Sequence, residues 1–266
     1  MFHHLGDKKN SMYIKPDEFT EELTRMEKLG FRPVTVSEFL AGCPSLALGA
    51  TPAVMTFDDS NADQLQLLPD GSLDPNCFMG LWQTFAKTHP DFPIKATFFV
   101  LPNSFFGRPA EAEAKLKLIK SWGCEIANHT ITHPILRKLS DAAVEKEIGD
   151  AEAWLQAHGA APNAPLALPF GVSPRNKAIL EGFSYQGHQV KPAAVFLVGA
   201  EPAKMPGQPG FNPLRIPRIQ AGAGPYTLDE WLTKAEAGKL KLYVAPSSAN
   251  RASNGAKSST VTPGRN

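Results

Sequence analysis

Short apolar runs set apart by amphipathic helical segments constrain this chain more than any other feature. Residues 53–57, 96–100, 124–127, 165–168 and 194–198 each read as a strand without regular polar alternation. A strand of that kind is buried on both faces, the condition of a parallel sheet covered by helices. Residues 239–244 are expected as a last strand. Between the runs, 16–29 predicts a helix: Pro16 suits a first turn, Phe19, Leu23, Met26 and Leu29 share one face, and Gly30 is a stop. A second helix is expected over 140–158, capped by Ser140, striped by Val144, Ile148, Ala151 and Leu155, and ended by Gly159. Segments 116–122 and 228–237 also read as helices. Strand and helix in alternation predict an α/β fold, a parallel sheet or barrel.

Residues 61–76, with the turn Pro69-Asp70-Gly71, read as a long loop insertion. Residues 1–245 are expected to form one domain, and 246–266, rich in Ser, Asn, Ala, Gly and Lys without periodicity, a low-complexity tail. The formal net charge of +1 argues against gripping nucleic acid or an anionic membrane by charge. No run of about 18 apolar residues suggests a membrane span. Met1-Phe2-His3-His4 leads straight into charged sequence, so no signal peptide is expected in this chain. Cys43, Cys77 and Cys124 have no metal-type spacing and imply no disulfide scaffold.

Chemistry concentrates where strands end. Asp58-Asp59 follow the run 53–57, and in parallel α/β architectures sites gather at the carboxyl ends of strands. Two adjacent carboxylates repel unless a cation or a shared proton relieves them. By itself the pair is equally a turn in which one Asp caps the backbone. His129 and His133 follow the run 124–127, and histidines at i and i+4 can reach one metal. Two imidazoles and one carboxylate with an open position form a catalytic set for a zinc-like ion. A lone pair of this spacing often only packs or caps; two ligand sources at two strand ends favour the metal. Pro169-Phe170-Gly171 reads, on composition, as an ordinary turn.

Taken together these motifs resemble the polysaccharide deacetylases, the NodB homology family or carbohydrate esterase family 4. Thr56-Phe57-Asp58-Asp59-Ser60 resembles its first motif, His129-Thr130-Ile131-Thr132-His133 its second, and Pro169-Phe170-Gly171 the end of its third. The opening Phe2-His3-His4 is similar to the branch that deacetylates poly-N-acetylglucosamine and begins with a Y-H-x-x segment. The resemblance implies a distorted (β/α)7 barrel and one divalent metal, Zn2+ with Co2+ or Ni2+ as alternatives. It implies Asp59, His129 and His133 as ligands, Asp58 as general base, and the Phe170 N–H, presented by the Pro169 turn, at the oxyanion. Three departures stand out. Ser60 replaces a usual Gly. Ala167 stands where many members carry the Arg that holds the catalytic Asp, leaving Arg218 as the candidate substitute. The C-terminal Leu-x-His that brings the acid histidine is missing, and His3 fits that role by position.

The expected function is therefore metal-dependent removal of acetyl groups from a polysaccharide that contains N-acetylglucosamine, such as an exopolysaccharide, peptidoglycan or a chitin-like glycan. The alternatives are an O-acetyl glycan esterase of the acetylxylan type, or a catalytically weak carbohydrate-binding protein that keeps the metal. The resemblance further implies a monomer acting outside the cell or in the cell envelope.

Overall fold

The computed structural model describes residues 1–8, 10–222 and 224–245; the tail expected at 246–266 lies outside the described residues. The chain opens with β1 (His4–Leu5) and β2 (Tyr13–Ile14), a short parallel pair, then α1 (Pro16–Lys28), β3 (Phe31–Val34), α2 (Val36–Leu40) and β4 (Thr51–Val54), which pairs with β3. Next come β5 (Thr56–Asp58), α3 (Phe78–Ala86), β6 (Thr97–Val100), α4 (Ala112–Ser121), β7 (Glu125–Asn128), α5 (Asp141–Ala157) and β8 (Leu166–Ala167). A hairpin of β9 (Phe183–Tyr185) and β10 (His188–Val190), then β11 (Val195–Phe196) and α6 (Leu228–Glu236), complete the order.

Strands β5, β6, β7, β8 and β11 form one parallel sheet in the spatial order β11-β8-β7-β6-β5. Both of its edges are extended by irregular chain. Phe2 bridges Phe57 in parallel at the β5 edge, and Ile216 bridges Phe196 at the β11 edge. The same 213–221 stretch then reaches the start of the chain, where Ala221 N–H donates to Met1 O at 3.0 Å and Met1 N to Ile219 O at 2.9 Å. A parallel sheet whose two edges meet one connecting segment is a curled half-barrel, the distorted (β/α)7 architecture with most of its later strands reduced to isolated bridges.

The unbroken apolar strands bury on both faces, as their composition requires. One face packs Phe57, Phe98, Val100 and Ile126 under α1, α3 and α4, where Phe19, Leu23, Phe78, Trp82 and Ile119 are buried. The run 53–57 is not one strand: the chain breaks at Met55, sending residues before it to β3 and residues after it to β6. The last strand expected over 239–244 does not form. Lys239 N–H closes the end of α6 on Lys234 O (2.8 Å), Thr51 Oγ1 donates to Tyr243 O (2.7 Å), and neighbouring Ala245 exchanges bonds with Gly49 and Ala50, so no ladder develops among the described residues. Helix α3, which buries Phe78, Met79, Trp82 and Phe85 and exposes Gln83 and Thr84, is absent from the periodicity reading.

Candidate active site

Five strand ends and one distant arginine meet at the carboxyl edge of the sheet. β5 ends on Asp58 and hands the chain to Asp59 and Ser60, both at positive φ (74° and 49°). A side chain at such φ is strained unless its surroundings hold it. The Ser60 hydroxyl supplies one restraint by accepting the Leu101 N–H at 2.7 Å, which ties the β5 loop to the end of β6. The left-handed backbone also explains why a glycine is common at this place in similar motifs.

Beyond β7, the turn from His129 to His133 has two more such residues, Thr130 (69°) and His133 (55°). Its polar contacts fix it. The Asn128 side chain accepts from Thr130 N–H at 2.9 Å, and Thr130 Oγ1 accepts from His133 N–H at 3.1 Å. Glu147 of α5 accepts from Ile131 N–H, Thr132 N–H and Thr132 Oγ1 at 3.0, 2.9 and 2.7 Å.

Asp59 Oδ1 lies 3.2 Å from His129 Nε2 and 3.4 Å from His133 Nε2. The three side chains offer ligand atoms all within 4.8 Å of one another. His129 Nδ1 lies 2.8 Å from the Ala167 carbonyl oxygen; an acceptor there requires the proton on Nδ1 and turns the bare Nε2 toward the carboxylate. Asp59 Oδ1 is buried without a hydrogen-bond partner. Lone pairs facing each other in a buried cluster are unfavourable until a cation lies between them. The donor set therefore fits a divalent ion of zinc type. Burial raises the Asp59 pKa and His129 more than offsets it, so the carboxyl titrates below its ordinary value. Burial, then His129, lowers the His133 imidazole.

Asp58 is 1% exposed and paired on both oxygens. Arg218 NH1 donates to Oδ1 and NH2 to Oδ2, each at 2.7 Å, across 160 residues of sequence. The guanidinium also donates from Nε to Leu197 O (2.9 Å) and from NH1 to Thr56 Oγ1 (3.3 Å), and lies 5.3 Å from the centre of the Phe99 ring. Burial opposes the charge on Asp58, yet Arg218 and then His129 hold its carboxyl far below the usual carboxylate range. Ala167, on β8, is fully buried and gives the site only its backbone carbonyl.

The bridge between Phe2 and Phe57 sets the register of the opening segment: Phe2 stacks on Phe57 at 5.1 Å, so the next position places His3 beside Asp58 on the other side of the strand. His3 is buried, and burial, against the attraction of Asp58 and Asp59, lowers its pKa to about 4. His4 turns away, 3.1 Å from Asp63 and stacked on Tyr13. Phe170 has φ of 56° and carries its ring, 58% exposed, 4.5 Å from that of His133. Pro169 is buried just before it. Four contributors are missing from the sequence reading: the Ala167 carbonyl, Glu147, Phe99 and Gln64. Only Glu147 left a trace, as an acidic residue nearly two turns into a helix; the others act through a backbone carbonyl, long-range packing, or, for Gln64, a side-chain amide on two distant carbonyls.

A model of the polysaccharide deacetylase family matches residues 48–190, more than half of the chain. Among solved structures, the chain is similar to the Streptococcus pyogenes deacetylase PplD in complex with acetate, at 19% identity over 87% of this chain and 93% of that one, with a TM-score of 0.62. It is similar also to IcaB from Ammonifex degensii, at 19% identity over 90% of this chain and 95% of that one, with a TM-score of 0.54. At such identity these structures speak for the fold, and the family match speaks for descent: the chain belongs to the polysaccharide deacetylase family.

Proposed function

We propose that this protein hydrolyses acetyl groups from a polysaccharide containing N-acetylglucosamine, in a metal-dependent reaction outside the cell or in its envelope. The observation that carries the reading is the pairing of Asp58 by Arg218 directly beside the Asp59–His129–His133 cluster. Asp59, His129 and His133 would hold one divalent ion, Zn2+ by donor type, with Co2+ or Ni2+ as alternatives. Such an ion lowers the pKa of a bound water toward about 7 and polarises an acetyl carbonyl. Asp58, kept ionised by Arg218, accepts the proton of the attacking water. The Phe170 N–H, in the turn set by Pro169, donates to the oxygen on which negative charge develops.

His3 protonates the departing nitrogen. It rests neutral in its buried position; the negative charge that builds up during the reaction raises its proton affinity, so it takes up the proton that Asp58 accepted from the attacking water and passes it to the nitrogen. An amine anion is a poor leaving group, so this proton matters for an amide and far less for an acetyl ester. The presence of a buried histidine beside Asp58 thus favours N-deacetylation over an O-acetyl glycan esterase. An Arg on Asp58, supplied from another segment than usual, likewise favours an enzyme over a binding protein that only retains the metal.

The test is acetate release from N-acetylglucosamine oligomers together with metal analysis. Wild type is expected to carry one equivalent of divalent ion and to release acetate; His129→Ala should lose both. Full metal occupancy in His129→Ala would refute the ligand set, and wild-type protein loaded with metal but inert on N-acetyl and O-acetyl glycans alike would refute the activity.

A further inference from the structure

The ladder between the start of the chain and β5 ends abruptly. Phe2 N–H donates to Thr56 O at 2.8 Å and Asp58 N–H to Phe2 O at 3.0 Å, and then the strands part, His4 N–H turning to Met12 O. The carbonyls of His3 and Asp58 are left in the fork. Gln64 bridges them: its Nε2 donates to His3 O at 2.8 Å and to Asp58 O at 2.6 Å. Its side chain is fully buried, and its Oε1 has no hydrogen-bond partner. Neighbouring side chains grip the same stretch. Asn61 Nδ2 donates to His3 O at 3.1 Å, and Asp63 Oδ2 accepts from Leu5 N–H at 3.1 Å. The loop is itself anchored on α3, since Phe78 N–H and Met79 N–H donate to the Asp63 and Gln64 carbonyls.

An amide buried with its oxygen unpartnered is a poor way to stabilise a fold. What it does supply is a fixed span between the backbones of two residues whose side chains share one side of the sheet. We propose that Gln64 is a positioning residue that fixes His3 relative to Asp58, acting on the proton-transfer geometry of the reaction; this rests on the reading of His3 as the proton donor. Misplacing a catalytic group by about 1 Å can cost about 10²-fold in rate. Asp58 keeps its place without the bridge, through the ladder of β5 with β6 and the fork of Arg218, so loss of the bridge acts chiefly on the step that needs His3.

The experiment compares Gln64→Met, His3→Ala and the double variant, each metal-loaded, on an N-acetylglucosamine oligomer and on an activated acetyl ester whose leaving group needs no proton. Gln64→Met should lower kcat for the amide by about 10–100-fold with KM little changed, and ester hydrolysis only a few-fold. In the His3→Ala background the same substitution should have no further effect on the amide. Equal losses on both substrates, or no loss, while His3→Ala is selective for the amide, would overturn the role of Gln64 and leave His3 standing. A His3→Ala variant that loses both activities equally would overturn the proton-donor reading and this inference with it. Should Gln64→Met fail to fold, Asn61→Ala decides: a selective few-fold loss on the amide is expected, and none at all overturns the proposal.

Discussion

Replacing Arg218 with Met tests the ion pair at the centre of the site without any assay of catalysis. The substitution keeps much of the apolar bulk over Phe99 and removes the guanidinium from a carboxylate that is 1% exposed. Asp58 would lose both 2.7 Å bonds at once. Removing one partner of a buried pair costs about 3–5 kcal/mol, because the remaining charge stays desolvated. For a domain of this size that corresponds to a drop in Tm of roughly 6–20 °C. The pH dependence carries the sharper signature. In the wild type the Asp58 carboxyl titrates below its unfolded value of about 3.9, so its contribution is fully present above that pH and is lost as pH falls through the folded value. In the variant, burial without Arg218 raises the carboxyl, and acid neutralises the stranded charge. Denaturant unfolding of the two metal-free proteins should therefore differ most at pH 7 and converge toward pH 4; Arg218 also lowers His3, so its loss raises that imidazole and adds to the same convergence. Asp58→Asn in the Arg218→Met background should recover part of the loss, and Arg218→Lys should fall between, since an ammonium cannot make the forked contact. A difference below about 1 kcal/mol at pH 7, or one that does not change between pH 7 and pH 4, would refute the reasoning.

Asp58→Asn should retain the metal yet lose about 10²–10⁴-fold in acetate release; activity within a few-fold of wild type means another group is the base. Glu147→Gln weakens the charged acceptor that holds the backbone between His129 and His133, and is expected to lower metal affinity by about 10-fold in a titration; unchanged affinity would reduce Glu147 to an ordinary surface contact. In the metal-free protein His3 should make stability fall between about pH 6.5 and 4, because there the unfolded chain binds a proton that the folded one does not. The size is up to about 3 kcal/mol, and His3→Gln should flatten that slope in unfolding measurements; a slope unaltered by the substitution counts against a buried neutral His3.

The parts legible in the sequence are those whose meaning is local. Helices α1, α5 and α6 follow from their apolar stripes and from caps such as Ser140, whose hydroxyl accepts the Ala143 N–H. The strands β5, β6 and β7 follow from short apolar runs, although nothing in residues 53–57 announces the break at Met55. Asp58-Asp59 and the His129–His133 spacing fall at strand ends, and each is contained within five residues of chain.

By itself, then, the sequence determined a parallel α/β fold with two ligand sources on one edge, because strand burial and i, i+4 spacing are properties of contiguous residues. The tertiary structure decided what surrounds them. Arg218 reaches Asp58 only because 213–221 joins both edges of the sheet, His3 lies beside Asp58 only through the register of Phe2 with Phe57, and Gln64 bridges two carbonyls that no pattern of side chains can reveal. The expected strand at 239–244 failed for a tertiary reason too: the stretch runs beside the start of β4, where Thr51 bonds to Tyr243 and Gly49 and Ala50 bond to Ala245, and these scattered bonds build no ladder.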